Sequence, residues 1–167
     1  MATRKGHKRN NRGTVISGTM RPEDLIPAFL DELRAQTPMR RAHMARAVEI
    51  ANSLKQNQKR MDHEDKEDYF RSDQCEYDLE WLFDALQEYA SAYFYFGAHP
   101  GNGSDYGYWL SEEFGQDFVD DGGLKVSDIS EIPANHEGEV LEVNDHGNMT
   151  LYRRARNHRL YELWSVV

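Results

Sequence analysis

Histidine and cysteine are the residue types in this chain most able to bind a metal or to act as a base or nucleophile. Histidine occupies seven positions: His7, His43, His63, His99, His136, His146 and His158. No two of them have the i, i+4 spacing of a helical ligand pair, and no zinc-type spacing occurs. Cys75 is the only cysteine, which excludes an internal disulfide and a cysteine-based metal cluster. We therefore predict no metal, no cofactor and no catalytic residue.

One group of possible metal ligands is left open as an alternative. His136, Asp145 and His146 would come together if one end of a C-terminal sheet gathered them. A small hydrolase or metal enzyme around His99, His136 or His146 would then follow. The competing interpretation is an ordinary turn, in which Asp145 and Asn148 bond to the local backbone and Gly147 supplies a positive φ.

Carboxylates form the strongest pattern in the sequence. They recur every four residues in one segment, and we call these four residues the acidic stripe: Glu76, Glu80, Asp84 and Glu88. Apolar residues in the same segment recur at spacings of three and four: Leu79, Leu82, Phe83, Leu86, Ala90 and Tyr93. This period predicts one long helix from Asp73 to Phe96 with an apolar face and an acidic face.

The acidic stripe requires an explanation because carboxylates one turn apart repel by a few tenths of a kcal/mol per pair. One explanation is internal: Arg40, Arg41, Arg46 or the basic N-terminus neutralises the stripe. The other is a basic partner, since one helical turn spaces the carboxylates by about 6 Å, comparable with the charges along a nucleic acid strand. The stripe would then mimic DNA and bind the nucleic-acid-binding surface of another protein.

The partner-binding prediction includes residues outside the stripe. Asp62, Glu64 and Asp65 belong to an acidic linker just before the central helix. Aromatic residues after it suit either core packing or an interface, because tyrosine and tryptophan combine large contact area with a polar tip. We include Tyr106, Tyr108 and Trp109 among the candidate interface residues.

Charge is strongly segregated along the chain, whose formal net charge is −9. Residues 62–121 carry 17 acidic and 2 basic side chains, whereas residues 1–60 have a net charge of +8. The basic region supports a second hypothesis, a nucleic-acid-binding protein. Its candidate contacts are Arg4, Lys5, Lys8, Arg9, Arg12, Arg40 and Arg41. Short basic runs are weak signals of such binding.

Two helices are expected before the central one. Pro22 suits the first position of a helix, and Glu23 with Asp24 suits its positive end. A second helix is predicted from Pro38 to Lys59, with Met44, Ala47, Val48, Ala51 and Leu54 facing inward. After Gly97 we expect a loop over His99–Asp105 and a short helix from Ser104 or Asp105 to about Val119.

The C-terminal third changes to a period of two, which is typical of strands. Glu139–Val143, Met149–Arg153 and Leu160–Val167 are separated by segments short enough for hairpins. We predict an α+β fold with three to four helices followed by a C-terminal three-stranded antiparallel β-meander. Residues 1–13 are predicted to be a disordered basic tail and residues 14–167 a single domain.

Two segments resemble small uncharacterised proteins of bacteriophages and related mobile elements. These are Gly138–Tyr152 and Gly18–Phe29. The resemblance implies no activity, catalytic residue or cofactor. It implies a bacterial host, and a role in inhibiting or shielding against host proteins. No apolar run approaches the roughly 18 residues of a membrane span and no signal peptide opens the sequence, so we expect the bacterial cytoplasm.

Overall fold

The structure is a computed structural model that describes residues 11–60, 68–91 and 93–166. The chain divides into two compact units, Met1–Ser111 and Glu112–Val167. We call them the N-terminal unit and the C-terminal unit. The described residues contain four α-helices and two β-sheets, so the fold is mixed α/β. The expected combination of three to four helices with β-strands is confirmed, whereas the single C-terminal meander is not the whole of the β-structure.

The N-terminal unit combines three helices with a three-stranded sheet. Its elements are β1 (Gly13–Ser17), α1 (Pro22–Arg34), α2 (Arg41–Arg60), α3 (Asp73–Gln87), β2 (Phe94–His99) and β3 (Asn102–Leu110). A short 3-10 helix, Tyr69–Arg71, precedes α3. The strands are antiparallel in the order β1-β3-β2. None of the described helices is long and apolar enough to cross a membrane.

Phe29 of α1 lies at the centre of the apolar core of this unit. Its ring packs edge-on against Phe83 of α3 at 5.0 Å between centroids. It also meets Phe96 of β2 at 5.0 Å and Tyr106 of β3 at 5.9 Å. Helices α1 and α3 therefore share one face of the sheet. The predicted start of α1 at Pro22, followed by acidic residues in its first turn, is confirmed.

The predicted central helix is too long, because α3 ends at Gln87. Phe94 and Phe96 belong to β2, where alternate side chains face the core. Most of the residues expected to form a loop and then the start of a helix instead form β3, which pairs with β2 across a tight turn. These residues form a strand because β3 also pairs with β1, about ninety residues earlier in the chain. The last part of the predicted short helix is confirmed, because Phe114–Asp120 is helical.

Helix α2 begins at Arg41 and not at Pro38. Its buried residues are His43, Ala47, Ile50 and Asn57. Met44 and Val48, which we expected to face inward, are each 53% exposed. The buried face of α2 is therefore rotated about the helix axis from the predicted one, because polar residues described below join α2 to α3.

The C-terminal unit contains a helix and a four-stranded sheet. Its elements are α4 (Phe114–Asp120), β4 (Leu124–Val126), β5 (Gly138–Val143), β6 (Met149–Arg154) and β7 (Leu160–Val166). Strands β5, β6 and β7 form the predicted antiparallel meander. The prediction missed β4, which adds to β5 in parallel. Phe114 and Phe118 are buried, and Phe114 packs edge-on against Trp164 at 5.1 Å.

Candidate functional site

Helix α3 carries the acidic stripe and is fixed at its start by a side-chain cap. The Ser72 hydroxyl accepts a hydrogen bond from the backbone N–H of Cys75, which satisfies one of the free donors of the first turn. Leu82 and Leu86 are buried, as the apolar pattern predicted. These inward residues orient the opposite side of the helix toward solvent.

The structure divides the acidic stripe into two parts. Glu88 forms an ion pair with Arg40, and Nε2 of His43 lies 3.7 Å from Oε1 of Glu88. Glu76, Glu80 and Asp84 are exposed. Among the described residues, no cationic group lies within 4.0 Å of their carboxylates. The internal explanation therefore accounts for one carboxylate of the stripe and leaves three without a paired cation in that part of the chain.

An exposed aromatic residue, Tyr77, lies among these carboxylates. Its side chain is 65% exposed. On a helix it neighbours Asp73, four residues earlier, and Glu80, three residues later. Sequence reasoning missed Tyr77, although an aromatic residue on the polar side of an amphipathic pattern was a usable signal. We call the five outward residues the acidic face: Asp73, Glu76, Tyr77, Glu80 and Asp84.

A buried carboxylate, Asp78, lies on the opposite side of the same helix and is 1% exposed. It accepts hydrogen bonds from Arg46 at 2.5 Å, from the Tyr69 hydroxyl at 2.8 Å and from the Gln74 amide at 2.8 Å. Arg46 thus neutralises Asp78 and not the acidic stripe. This network joins α2 to α3 and holds the acidic face on a rigid support.

The Asp78 network changes the acid–base properties of its neighbours. Burial raises the pKa of the Tyr69 hydroxyl, and its hydrogen bond to Asp78 adds to the increase. Burial likewise raises the pKa of the Cys75 thiol to about 11, with the charge of Asp78 contributing. A thiol with such a pKa carries little thiolate near neutral pH, so Cys75 is a poor nucleophile.

The other predicted partner-binding residues lie elsewhere. Tyr106 and Tyr108 are 9% and 2% exposed, because β3 turns both rings into the core. Neither ring presents a surface to a partner, and we remove both from the candidate interface. Trp109 is half-buried, and its indole N–H donates to the Gly97 carbonyl at 3.0 Å. Three acidic candidates lie outside the described residues: Asp62, Glu64 and Asp65.

The basic candidates are only partly described. Arg4, Lys5, Lys8 and Arg9 lie outside the described residues. Arg12 and Arg41 are exposed, whereas Arg40 is engaged by Glu88. The described arginines of α2 therefore do not form a continuous free basic surface, since Arg46 is bound to Asp78 and Glu49.

The histidines of the enzyme alternative occupy turns and strand ends. His99 Nδ1 accepts a hydrogen bond from the Gly101 N–H at 3.0 Å. The Asn144 side chain accepts from the backbone N–H groups of His146 and Asn148, each at 3.0 Å. The ordinary turn with a positive φ at Gly147 is confirmed, but its side-chain acceptor is Asn144, whereas we expected Asp145 and Asn148. Across the described ranges, no three His, Cys, Asp or Glu side chains are grouped to hold a metal ion.

No protein-family model matches the chain, and no curated protein or solved structure matches it.

Proposed function

We propose that this chain is a non-catalytic binding protein whose acidic face engages a basic surface of another protein. The observation that carries the proposal is the set of three exposed carboxylates, Glu76, Glu80 and Asp84, with no described cation within 4.0 Å. Repulsion between carboxylates one turn apart disfavours such a row unless another interaction compensates for it. A basic partner supplies that compensation.

Tyr77 adds a short-range contact to this electrostatic surface. Charged residues at the edge of an interface mainly raise the association rate and orient the partner. Exposed tyrosines are enriched among the residues that carry most of the binding energy. The acidic face combines both features, with one aromatic residue surrounded by acids.

The kind of partner follows from the charge pattern and from the sequence resemblance. A row of negative charges on a rigid rod is what a nucleic-acid-binding surface recognises in its own ligand. We infer that the chain acts as an inhibitor or DNA mimic, encoded by a phage or related element and directed at a host protein in the bacterial cytoplasm. The Gly138–Tyr152 and Gly18–Phe29 segments support this origin through their resemblance to phage proteins.

Nucleic acid binding through residues 1–60 is the alternative, and it is less well supported. Arg40 and Arg46 of that region already pair with Glu88 and Asp78. Deleting residues 1–10, which leaves the buried Asn11 and strand β1 intact, separates the two proposals. Loss of retention on DNA or RNA would favour the alternative, and unchanged behaviour would favour the acidic face.

The test of the proposed function is capture followed by competition. The purified chain is immobilised, incubated with bacterial lysate, and washed with duplex DNA or with an uncharged polymer at the same mass concentration. We expect a captured protein to be released by DNA and by added salt, because DNA and the acidic face would occupy one surface. Capture that survives the DNA wash and added salt, or no capture, would contradict the proposal.

A further inference from the structure

A second feature of the N-terminal unit is a groove of about 680 Å³ between α1, α2 and the residues just before α3. Small-molecule sites typically measure about 300–1,000 Å³ and are lined mainly by apolar groups with a few polar ones. The apolar part of this groove is formed by Pro27, Leu30, Ala51, Leu54 and Phe70. Its size lies within this range, and polar and charged side chains line the rest of the groove.

The charges around the groove are unequally compensated. Two of the acidic residues that line it pair with arginine, Glu23 with Arg21 at 3.7 Å and Asp31 with Arg34 at 3.2 Å. Asp68 has a neutral partner, the Asn57 amide, at 3.1 Å. Lys55 also lines the groove and is exposed. It has no ion-pair partner within 4.0 Å among the described residues. One cation at the wall is therefore available to a ligand.

We propose that this groove binds an amphipathic organic anion, a fatty carboxylate, with its alkyl chain along Leu30 and Leu54 and its carboxylate at Lys55. Burial of the ligand's alkyl chain provides the affinity, because it removes apolar surface from contact with water. The ammonium of Lys55 selects the charged end group and orients the ligand. This site is separate from the acidic face, so neither proposal depends on the other.

The probe is dodecanoate, with dodecanol as its uncharged counterpart, and binding is measured by titration calorimetry below the micelle concentration. Lys55→Glu should weaken dodecanoate binding by about three- to tenfold, as expected for one exposed charge reversed. Dodecanol binding should stay unchanged. Lys59→Glu is the matched control, because Lys59 lies on the same helix and does not line the groove.

A second variant tests the apolar part of the groove. Ala51→Phe places a ring where the alkyl chain would lie and should abolish binding of both probes. Its thermal unfolding is compared with that of the wild type to establish that it folds, and Lys55→Glu serves as the test if it does not. The proposal is overturned if dodecanoate does not bind the wild type. It is also overturned if Lys55→Glu and Lys59→Glu have equal effects.

Discussion

Arg40 and Glu88 form an ion pair that joins the residue just before α2 to the residue just after α3. The pair neutralises the last carboxylate of the acidic stripe and leaves the first three outside its reach. Both side chains are largely solvent-accessible, at 65% and 41%. Exposed pairs of this kind contribute about 0.2–1 kcal/mol, so the contact shapes the electrostatic surface more than it stabilises the fold.

The first prediction concerns this pair. Arg40→Gln should free Glu88 and extend the row of unpaired carboxylates to four. We expect tighter binding of a fluorescent decalysine peptide, by about two- to threefold, with a change in unfolding free energy below about 1 kcal/mol. Fluorescence anisotropy at low salt measures the affinity.

Arg41→Gln is the matched control, because it removes the same charge from the neighbouring exposed position. An equal increase in the two variants would show that net charge alone matters and that the pair with Glu88 does not restrict the acidic face.

The second prediction concerns the buried carboxylate that joins α2 to α3. Asp78→Ala leaves Arg46, Tyr69 and Gln74 without their shared acceptor, and Arg46 keeps only Glu49 as an acidic partner among the described residues. We expect a loss of about 1–3 kcal/mol in unfolding free energy, since buried hydrogen-bond donors lose their acceptor. Glu80→Ala, on the exposed side of the same helix, should change it by less than about 0.5 kcal/mol. Urea unfolding measures both, and similar values would refute the structural role of Asp78.

The third prediction concerns alkaline pH. The pKa of the Cys75 thiol is raised from 9.0 to about 11 in the folded chain. Between these values the unfolded chain releases the proton while the folded chain keeps it, so the unfolding free energy falls as pH rises. Tyr69 acts in the same direction above its ordinary pKa of 10.0.

Urea unfolding at about pH 8 and about pH 10.5 measures this loss. Cys75→Ala should reduce the difference between the two pH values, although it lowers stability at both by emptying a buried site. A wild-type stability that rises or stays constant over this interval would contradict the buried, protonated state of these two groups.

The fourth prediction concerns the close approach of β1 to β3. A Cβ added at Gly107 would lie 2.1 Å from the carbonyl oxygen of Gly13, which is shorter than any tolerated contact. We expect Gly107→Ala to reduce the unfolding free energy by more than about 2 kcal/mol, because the backbone of β1 must shift. Gly103→Ala, on the same strand with open space at its Cβ, is the control. Equal stability of the two variants would mean that β1 does not pair as described.

Local sequence patterns correctly predicted those helices and strands whose start or turn is determined by residues close together in the chain. Pro22 and the acids after it marked the start of α1, and the turns before Met149 and Leu160 marked the meander of the C-terminal unit. Each of these elements depends on neighbouring residues, which form either the start of a helix or a short hairpin connection between two strands.

The remaining structure depends on contacts between residues far apart in the chain. Phe94 and Phe96 fit the continuation of an apolar helix pattern, and only pairing with β3 makes them a strand. Strand β1 is short, and its partner β3 lies far along the chain. No local sequence pattern could therefore predict that the two strands pair. The sequence predicts that Arg40 could neutralise the acidic stripe, but it does not identify the carboxylate. Glu88 is the partner because α2 and α3 are antiparallel, which places the start of α2 beside the end of α3.

A matched pair of charge reversals tests whether the acidic face is the surface that binds the partner. Glu80→Lys with Asp84→Lys changes the acidic face, whereas Glu112→Lys with Asp145→Lys changes two exposed acids of the C-terminal unit by the same total charge. Both double variants, and the wild type, are tested for capture of the DNA-releasable partner from bacterial lysate. We expect the first double variant to lose capture and the second to keep it. Equal capture by the two, or equal loss, would contradict a binding role for the acidic face.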